Sequence, residues 1–152
     1  TGIFGTDILP KVLFENGEAE LACSLLASKG KYSFGNWMDL GATTLWEYRT
    51  GERSHDHPMF GACTRYLFKY ILGIGQTAGT AGYKDLVISP AVISLKEASG
   101  TMRLETGKLS VSYVRSESET AFVIQIPKGI RVRFEYMNFK KELSEGLHRF
   151  SC

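Results

Sequence analysis

Apolar residues recur at helical spacing in the first half of the chain and alternate with polar residues in the second. Ile8, Leu9, Val12 and Leu13 fall on one side of a predicted helix, which Asn16 and Gly17 end. Glu18 to Ala27 predicts a second helix with Leu21, Ala22, Leu25 and Leu26 on one stripe, broken by Ser28 to Gly30. Two helices joined this tightly form a hairpin. Pro58 suits a first helical position, and Phe60, Thr64, Leu67, Phe68, Ile71 and Leu72 continue a third helix that Gly73 and Gly75 stop. Between the second and third helices, Lys29 to His57 reads as a long aromatic and polar loop with at most a short helical turn around Thr43 to Tyr48.

From about Lys84 the period becomes two. Leu109, Val111 and Tyr113 alternate with serines, Phe122, Ile124 and Ile126 alternate with Val123 and Gln125, and Ile130, Val132, Phe134 and Tyr136 oppose Arg131, Arg133 and Glu135. Leu86 to Ser89, Glu97 to Leu104 and Leu147 to Phe150 are weaker strand signals. Turn signals at Ser99-Gly100, Thr106-Gly107, Lys128-Gly129 and Glu145-Gly146 come at short spacing, which predicts an antiparallel β-sandwich. By chain the class is α+β: an α-helical part over residues 1–81, then the sandwich over 82–152, with the small residues of Gln76 to Gly82 as the linker.

Composition narrows the function classes. The chain has 152 residues, 43% of them hydrophobic and 22% charged, enough for one or two small globular domains. A net charge of +2 with scattered Lys and Arg argues against a nucleic-acid partner. No apolar run approaches the roughly 20 residues needed to cross a bilayer, so the chain reads as soluble with no membrane partner. Cys23, Cys63 and Cys152 are far apart and read as free buried thiols, and His55 and His57 without a third ligand do not make a metal site. No phosphate-cradling or nucleophile-elbow motif is present, and no cofactor is expected. Thr1 to Thr6 carry neither an initiator methionine nor a leader, which points to sequence upstream.

The densest chemistry lies between Phe34 and Phe60: Trp37, Asp39, Trp46, Glu47, Tyr48, His55, Asp56 and His57. Aromatic faces that pack on the C–H face of a sugar, beside carboxylates and imidazoles that bond its hydroxyls, suit a carbohydrate site. Taken alone, each of these residues has an ordinary structural role: a solvated carboxylate, a helix-entry histidine, packed tryptophans.

Three blocks in order resemble the α-L-rhamnosidases of glycoside hydrolase family 78: Thr1-Gly2-Ile3-Phe4-Gly5-Thr6, Gly41-Ala42-Thr43-Thr44-Leu45-Trp46-Glu47, and His57-Pro58-Met59-Phe60-Gly61. The likeness continues through Gly82-Tyr83-Lys84, Ile88-Ser89-Pro90 and Ala98-Ser99-Gly100 and weakens after about Val114. The resemblance implies that residues 1–81 are the last helices of an (α/α)6 six-hairpin barrel and that the sandwich is its C-terminal neighbour. It implies inverting hydrolysis of terminal α-L-rhamnosides, with Glu47 as general base and His57 contacting the sugar. Trp46 and Trp37 either wall the sugar pocket or pack beneath it. Nothing matches the acidic motif of the family's general acid, so the chain alone is expected to be inactive and to need the remainder of the barrel as its partner. Apolar helix faces left without that partner make self-association of the isolated chain an expectation. A rhamnose-containing glycoside is the implied substrate, and a bacterial cytoplasm or periplasm the implied setting. Tyr48-Arg49-Thr50 after Glu47 and Asp56 before His57 depart from the commoner family wording and leave the sugar's identity open. A noncatalytic carbohydrate-binding or structural module, and a barrel glycosidase for another sugar, are the competing readings.

Overall fold

The computed structural model describes residues 2–152; Thr1, the first residue of the opening block, lies outside them. The chain divides into two compact units, one up to Tyr66 and one from Leu67 to Cys152.

The first unit begins with α1 (Ile3–Glu15) and α2 (Ala19–Ala27). The hairpin between them is closed by Gly17 at φ +83°, which lets the Glu18 N–H reach the Leu13 carbonyl at 2.9 Å and satisfy a helix-end acceptor. The buried face of α1 is not the one predicted. Thr6, Pro10 and Phe14, spaced by four, point inward, whereas Phe4, Ile8 and Val12 form a stripe left 78%, 56% and 46% exposed. On α2 only Ala22 is fully buried, and Leu21 and Leu25 stay exposed. The periodicity does mark an apolar face, but that face has no partner among the described residues of this unit.

The predicted third helix is a continuous helical run that changes pitch: a 3-10 stretch Pro58–Cys63, one α turn Thr64–Tyr66, and a π stretch Leu67–Ile71. The change of pitch explains why a regular stripe misjudged it: Thr64 and Leu67 are exposed, while Cys63 and Tyr66 are buried. Arg65 Nη2 and the Tyr66 hydroxyl both donate to the Asp7 carboxylate, at 2.6 and 3.0 Å, and so tie this run to α1.

The second unit is a sandwich of two four-stranded sheets. Its strands are β1 (Ile74–Gln76), β2 (Asp85–Ile88), β3 (Glu97–Leu104), β4 (Gly107–Arg115), β5 (Thr120–Ile126), β6 (Arg131–Tyr136), β7 (Phe139–Leu143) and β8 (Gly146–Ser151). One sheet has the order β1-β2-β6-β7 and the other β3-β4-β5-β8. All pairs are antiparallel except β2 with β6, where Asp85 faces Arg131 and accepts from its Nε at 2.5 Å. The residues predicted to face inward do so. Val132, Phe134 and Tyr136 of one sheet and Leu109, Val111, Tyr113, Phe122, Ile124 and Ile126 of the other make a single core, with Phe122 edge-on to Phe134 at 4.8 Å.

The small-residue segment 76–82 connects β1 to β2, so a strand of the sheet precedes it. Ser99-Gly100 lies inside β3 and not at a turn: a Cβ on Gly100 would come within 2.3 Å of a Leu72 methyl. β7 carries Lys140, Lys141 and Glu142 outward at the sheet's edge, and its charges hid it from a search for apolar alternation. The turn before it uses Met137 at φ +51°, without a glycine to announce it.

Gly73 ends the helical run at φ +74°, where a Cβ would lie 2.2 Å from the backbone of Ser89 and Pro90. Gly73→Ala should cost about 3 kcal/mol or more through strain and backbone overlap. Gly100→Ala, which meets only a movable methyl, should cost about 1 kcal/mol. Urea unfolding of both variants checks this; equal midpoints would contradict it.

Candidate active site

The residues singled out for chemistry converge on one loop system in the first unit. Ser33 caps a short helix, α3 (Phe34–Asp39), its hydroxyl accepting from the Asn36 N–H at 3.1 Å. The short helix of this loop therefore stands at Phe34–Asp39, and no helical turn forms around Thr43 to Tyr48. Gly41, at φ +83°, and the bond from Ala42 N–H to the Trp37 carbonyl at 2.9 Å end the helix. Beyond it the chain doubles back and bonds to the segment before the 3-10 stretch. The His57 N–H donates to the Leu45 carbonyl at 2.8 Å, the Glu47 N–H to the Ser54 carbonyl at 2.8 Å, and the Thr44 hydroxyl to the His55 carbonyl. These cross-chain bonds use the backbone groups that a helical turn would have needed.

Beneath this ladder lie both tryptophans. Trp37 is 4% and Trp46 8% exposed, packed with Phe60 and partly with Phe34 and Leu45. Trp37 stands edge-on to Phe60 at 5.5 Å, and its indole N–H donates to the Arg49 carbonyl at 3.0 Å, so its one polar group is satisfied. Trp46 stacks on His55 at 4.7 Å with 19° between the planes. Gly51 covers the ring, and a Cβ there would lie 2.8 Å from it. His55 Nε2 bonds the Gly51 carbonyl at 2.7 Å. The pair forms a floor under the loop.

Glu47 follows the buried Trp46 at the rim of the loop, its side chain 29% exposed. Its Oε2 accepts from the Ser54 N–H at 3.4 Å, and its Oε1 lies 3.8 Å from Arg53 Nη1. His57 is half-buried at the other end of the ladder, its ring 6.1 Å from Phe60. Both are thus fixed by backbone bonds to a common two-stranded turn, on top of a packed aromatic base. Asp39 is paired with Lys29 at the surface, and Glu52 and Asp56 are exposed.

Arg49 was not singled out for a role by the sequence, yet it braces the loop. Its guanidinium donates to the Tyr32 carbonyl and, at 3.4 Å, to the Thr6 hydroxyl, and lies 5.7 Å over the Phe60 ring. Thr6 is 43 positions away along the chain, a partner that no local pattern could indicate. A cavity of about 190 Å³ opens beside it, lined by Thr6, Leu9 and Pro10 of α1, by Leu25 and Leu26 of α2, and by Trp37, Arg49 and Phe60. Neither Glu47 nor His57 lines it.

The thiols are poor nucleophiles: burial, with Glu20 nearby, pushes Cys23 up to about 11, and burial raises Cys63 and Cys152 as well. Among the described residues no three His, Cys, Asp or Glu side chains gather as a metal set, and no helix is long and apolar enough to cross a membrane.

Gly51→Ala combines an unfavourable φ with overlap on a buried indole. It should cost about 2 kcal/mol and weaken the near-UV circular dichroism of the tryptophans. An unchanged spectrum and unfolding midpoint would contradict the floor described above.

Comparison with known proteins bears directly on this loop. Residues 1–71 match the family model described as the bacterial alpha-L-rhamnosidase 6 hairpin glycosidase domain. An α-L-rhamnosidase of Formosa agariphila is 31% identical over 89% of the chain, and one of Alteromonas sp. is 29% identical over 88%. The chain spans 16% of the length of each. The crystal structure of Streptomyces avermitilis α-L-rhamnosidase complexed with L-rhamnose superposes on the whole chain with a TM-score of 0.86, at 23% identity and over 18% of its own length, a likeness of fold. Residues 1–71 thus belong to the six-hairpin glycosidase domain of the bacterial α-L-rhamnosidases, and the sequence relatives extend the likeness over most of the chain.

Proposed function

We propose that this chain is part of an inverting α-L-rhamnosidase and supplies its water-activating base, Glu47. The observation that carries the reading is the placement of Glu47: a partly exposed carboxylate on a hydrogen-bonded turn, above two buried tryptophans, within the segment that matches the family's glycosidase domain. In inversion, a water oxygen attacks the anomeric carbon while its proton passes to the base, and an opposed carboxylic acid protonates the departing glycosidic oxygen. The base must reach that water, which a rim position allows.

His57 is the group we assign to a sugar hydroxyl, since an imidazole can donate or accept without changing its charge. The tryptophans act in this reading as the floor that fixes Glu47 and not as stacking faces for the sugar, because little of either ring is accessible. The acid is assigned to polypeptide outside these residues. An inverting pair stands roughly 6.5 to 9.5 Å apart across the bond, and Asp39, Glu52 and Asp56 are all exposed at the surface. The same missing polypeptide would cover Phe4, Ile8 and Val12 of α1 and Leu21 and Leu25 of α2, the faces left bare here. Residues of the helical unit belong to the barrel in this account, and the sheets form its neighbouring sandwich.

In the full-length protein that contains this chain, Glu47→Gln should lower kcat on an aryl α-L-rhamnoside by about a thousandfold, with the fold intact by circular dichroism. Undiminished turnover would remove Glu47 from the mechanism. The 152-residue chain by itself should show no turnover on the same substrate; measurable hydrolysis would mean that the acid lies within it.

A further inference from the structure

The turn that carries Glu47 contains a backbone outlier which general-base chemistry does not by itself require. Arg53 stands at φ +64°, a left-handed conformation that costs energy in any residue with a Cβ and persists where its surroundings enforce it. Its surroundings are Glu47 and Tyr48. The residue after it, Ser54, both accepts from the Glu47 N–H at 2.8 Å and donates its own N–H to Glu47 Oε2 at 3.4 Å. The left-handed bend then returns the Arg53 side chain across the loop. Its guanidinium lies 4.8 Å from the Tyr48 ring centroid, and Nη1 lies 3.8 Å from Glu47 Oε1.

The two carboxylate oxygens thus face different partners, a backbone N–H on one side and a cation on the other. Arg53 is 66% exposed, and an ion pair so open to water contributes little to folding. Its effect falls on orientation. A glutamate has three side-chain torsions to fix before one oxygen can meet a water in line with the anomeric carbon, and two fixed partners restrict them before substrate arrives. Tyr48 matters because a planar guanidinium stacks on an aromatic face, which holds the long Arg side chain over the loop.

We propose that Arg53, held against Tyr48, is a positioning residue that orients the Glu47 carboxylate toward the water it activates. The proposal rests on the reading of Glu47 as the base.

The test is steady-state hydrolysis of an aryl α-L-rhamnoside by the full-length protein containing this chain, with melting temperatures measured alongside. Arg53→Gln should lower kcat about tenfold and leave KM within about twofold, with the melting temperature unchanged. Arg53→Lys should recover part of the loss, and Tyr48→Leu should lower kcat more than Tyr48→Phe. Wild-type kcat in Arg53→Gln, with Glu47→Gln inactive, would overturn the positioning role and leave the base reading standing. A rise confined to KM would assign Arg53 to substrate binding and overturn it too. Equal losses in Arg53→Gln and Arg53→Lys, with lowered melting temperatures, would make the role structural. An active Glu47→Gln would remove the base reading itself, and positioning with it.

Discussion

Burial of Trp46 beneath Gly51 and His55 is the contact on which the candidate site depends. The segment from Gly41 to His57 is polar and glycine-containing, with few residues able to form a core of their own. Withdrawing an indole of this size from water removes on the order of 200 Å² of surface, about 5 kcal/mol as an upper bound. Trp37 shares the burial and spends its N–H on the Arg49 carbonyl. With the ring pair as an anchor, the bonds from His57 to Leu45 and from Glu47 to Ser54 can form a turn stiff enough to hold a carboxylate at its rim. Trp46 is buried and the next residue, Glu47, is partly exposed, so one loop conformation decides both the stability of the loop and the access of its carboxylate to water.

The sandwich was legible because its strands obey one rule. Where one sheet face is wet and the other dry, every second residue reports its side, and Val111, Phe122, Ile124, Val132 and Phe134 all fall where that rule puts them. The exceptions have local physical causes. β7 is an edge strand whose lysines face water, the Met137 turn lacks a glycine, and Gly100 answers to a close approach by Leu72 and not to a bend. The parallel pairing of β2 with β6 depends on a crossover that no local alternation encodes.

The helical part was legible as helix but not as packing. Periodicity locates an apolar stripe without saying what covers it, and in α1 the stripe at Phe4, Ile8 and Val12 is bare while Thr6, Pro10 and Phe14 are packed. In the function proposed above, polypeptide beyond these residues covers the stripe; the relatives are about six times longer than the chain. The run from Pro58 to Ile71 passes through three pitches, which a single helical period cannot describe. At the site, Glu47 and His57 were singled out through motif likeness. The contacts of Arg49 and Arg53 with Thr6, Tyr32 and Tyr48 had no local signal, because only the folded loop creates them.

A base that activates water leaves a stereochemical record. Proton NMR of the first product formed by the full-length protein from an aryl α-L-rhamnoside reads it directly, before the sugar mutarotates. The β anomer of L-rhamnose appearing first is the result predicted for direct attack by a water that Glu47 deprotonates. The α anomer appearing first would mean retention through a covalent intermediate and would contradict the role assigned to Glu47.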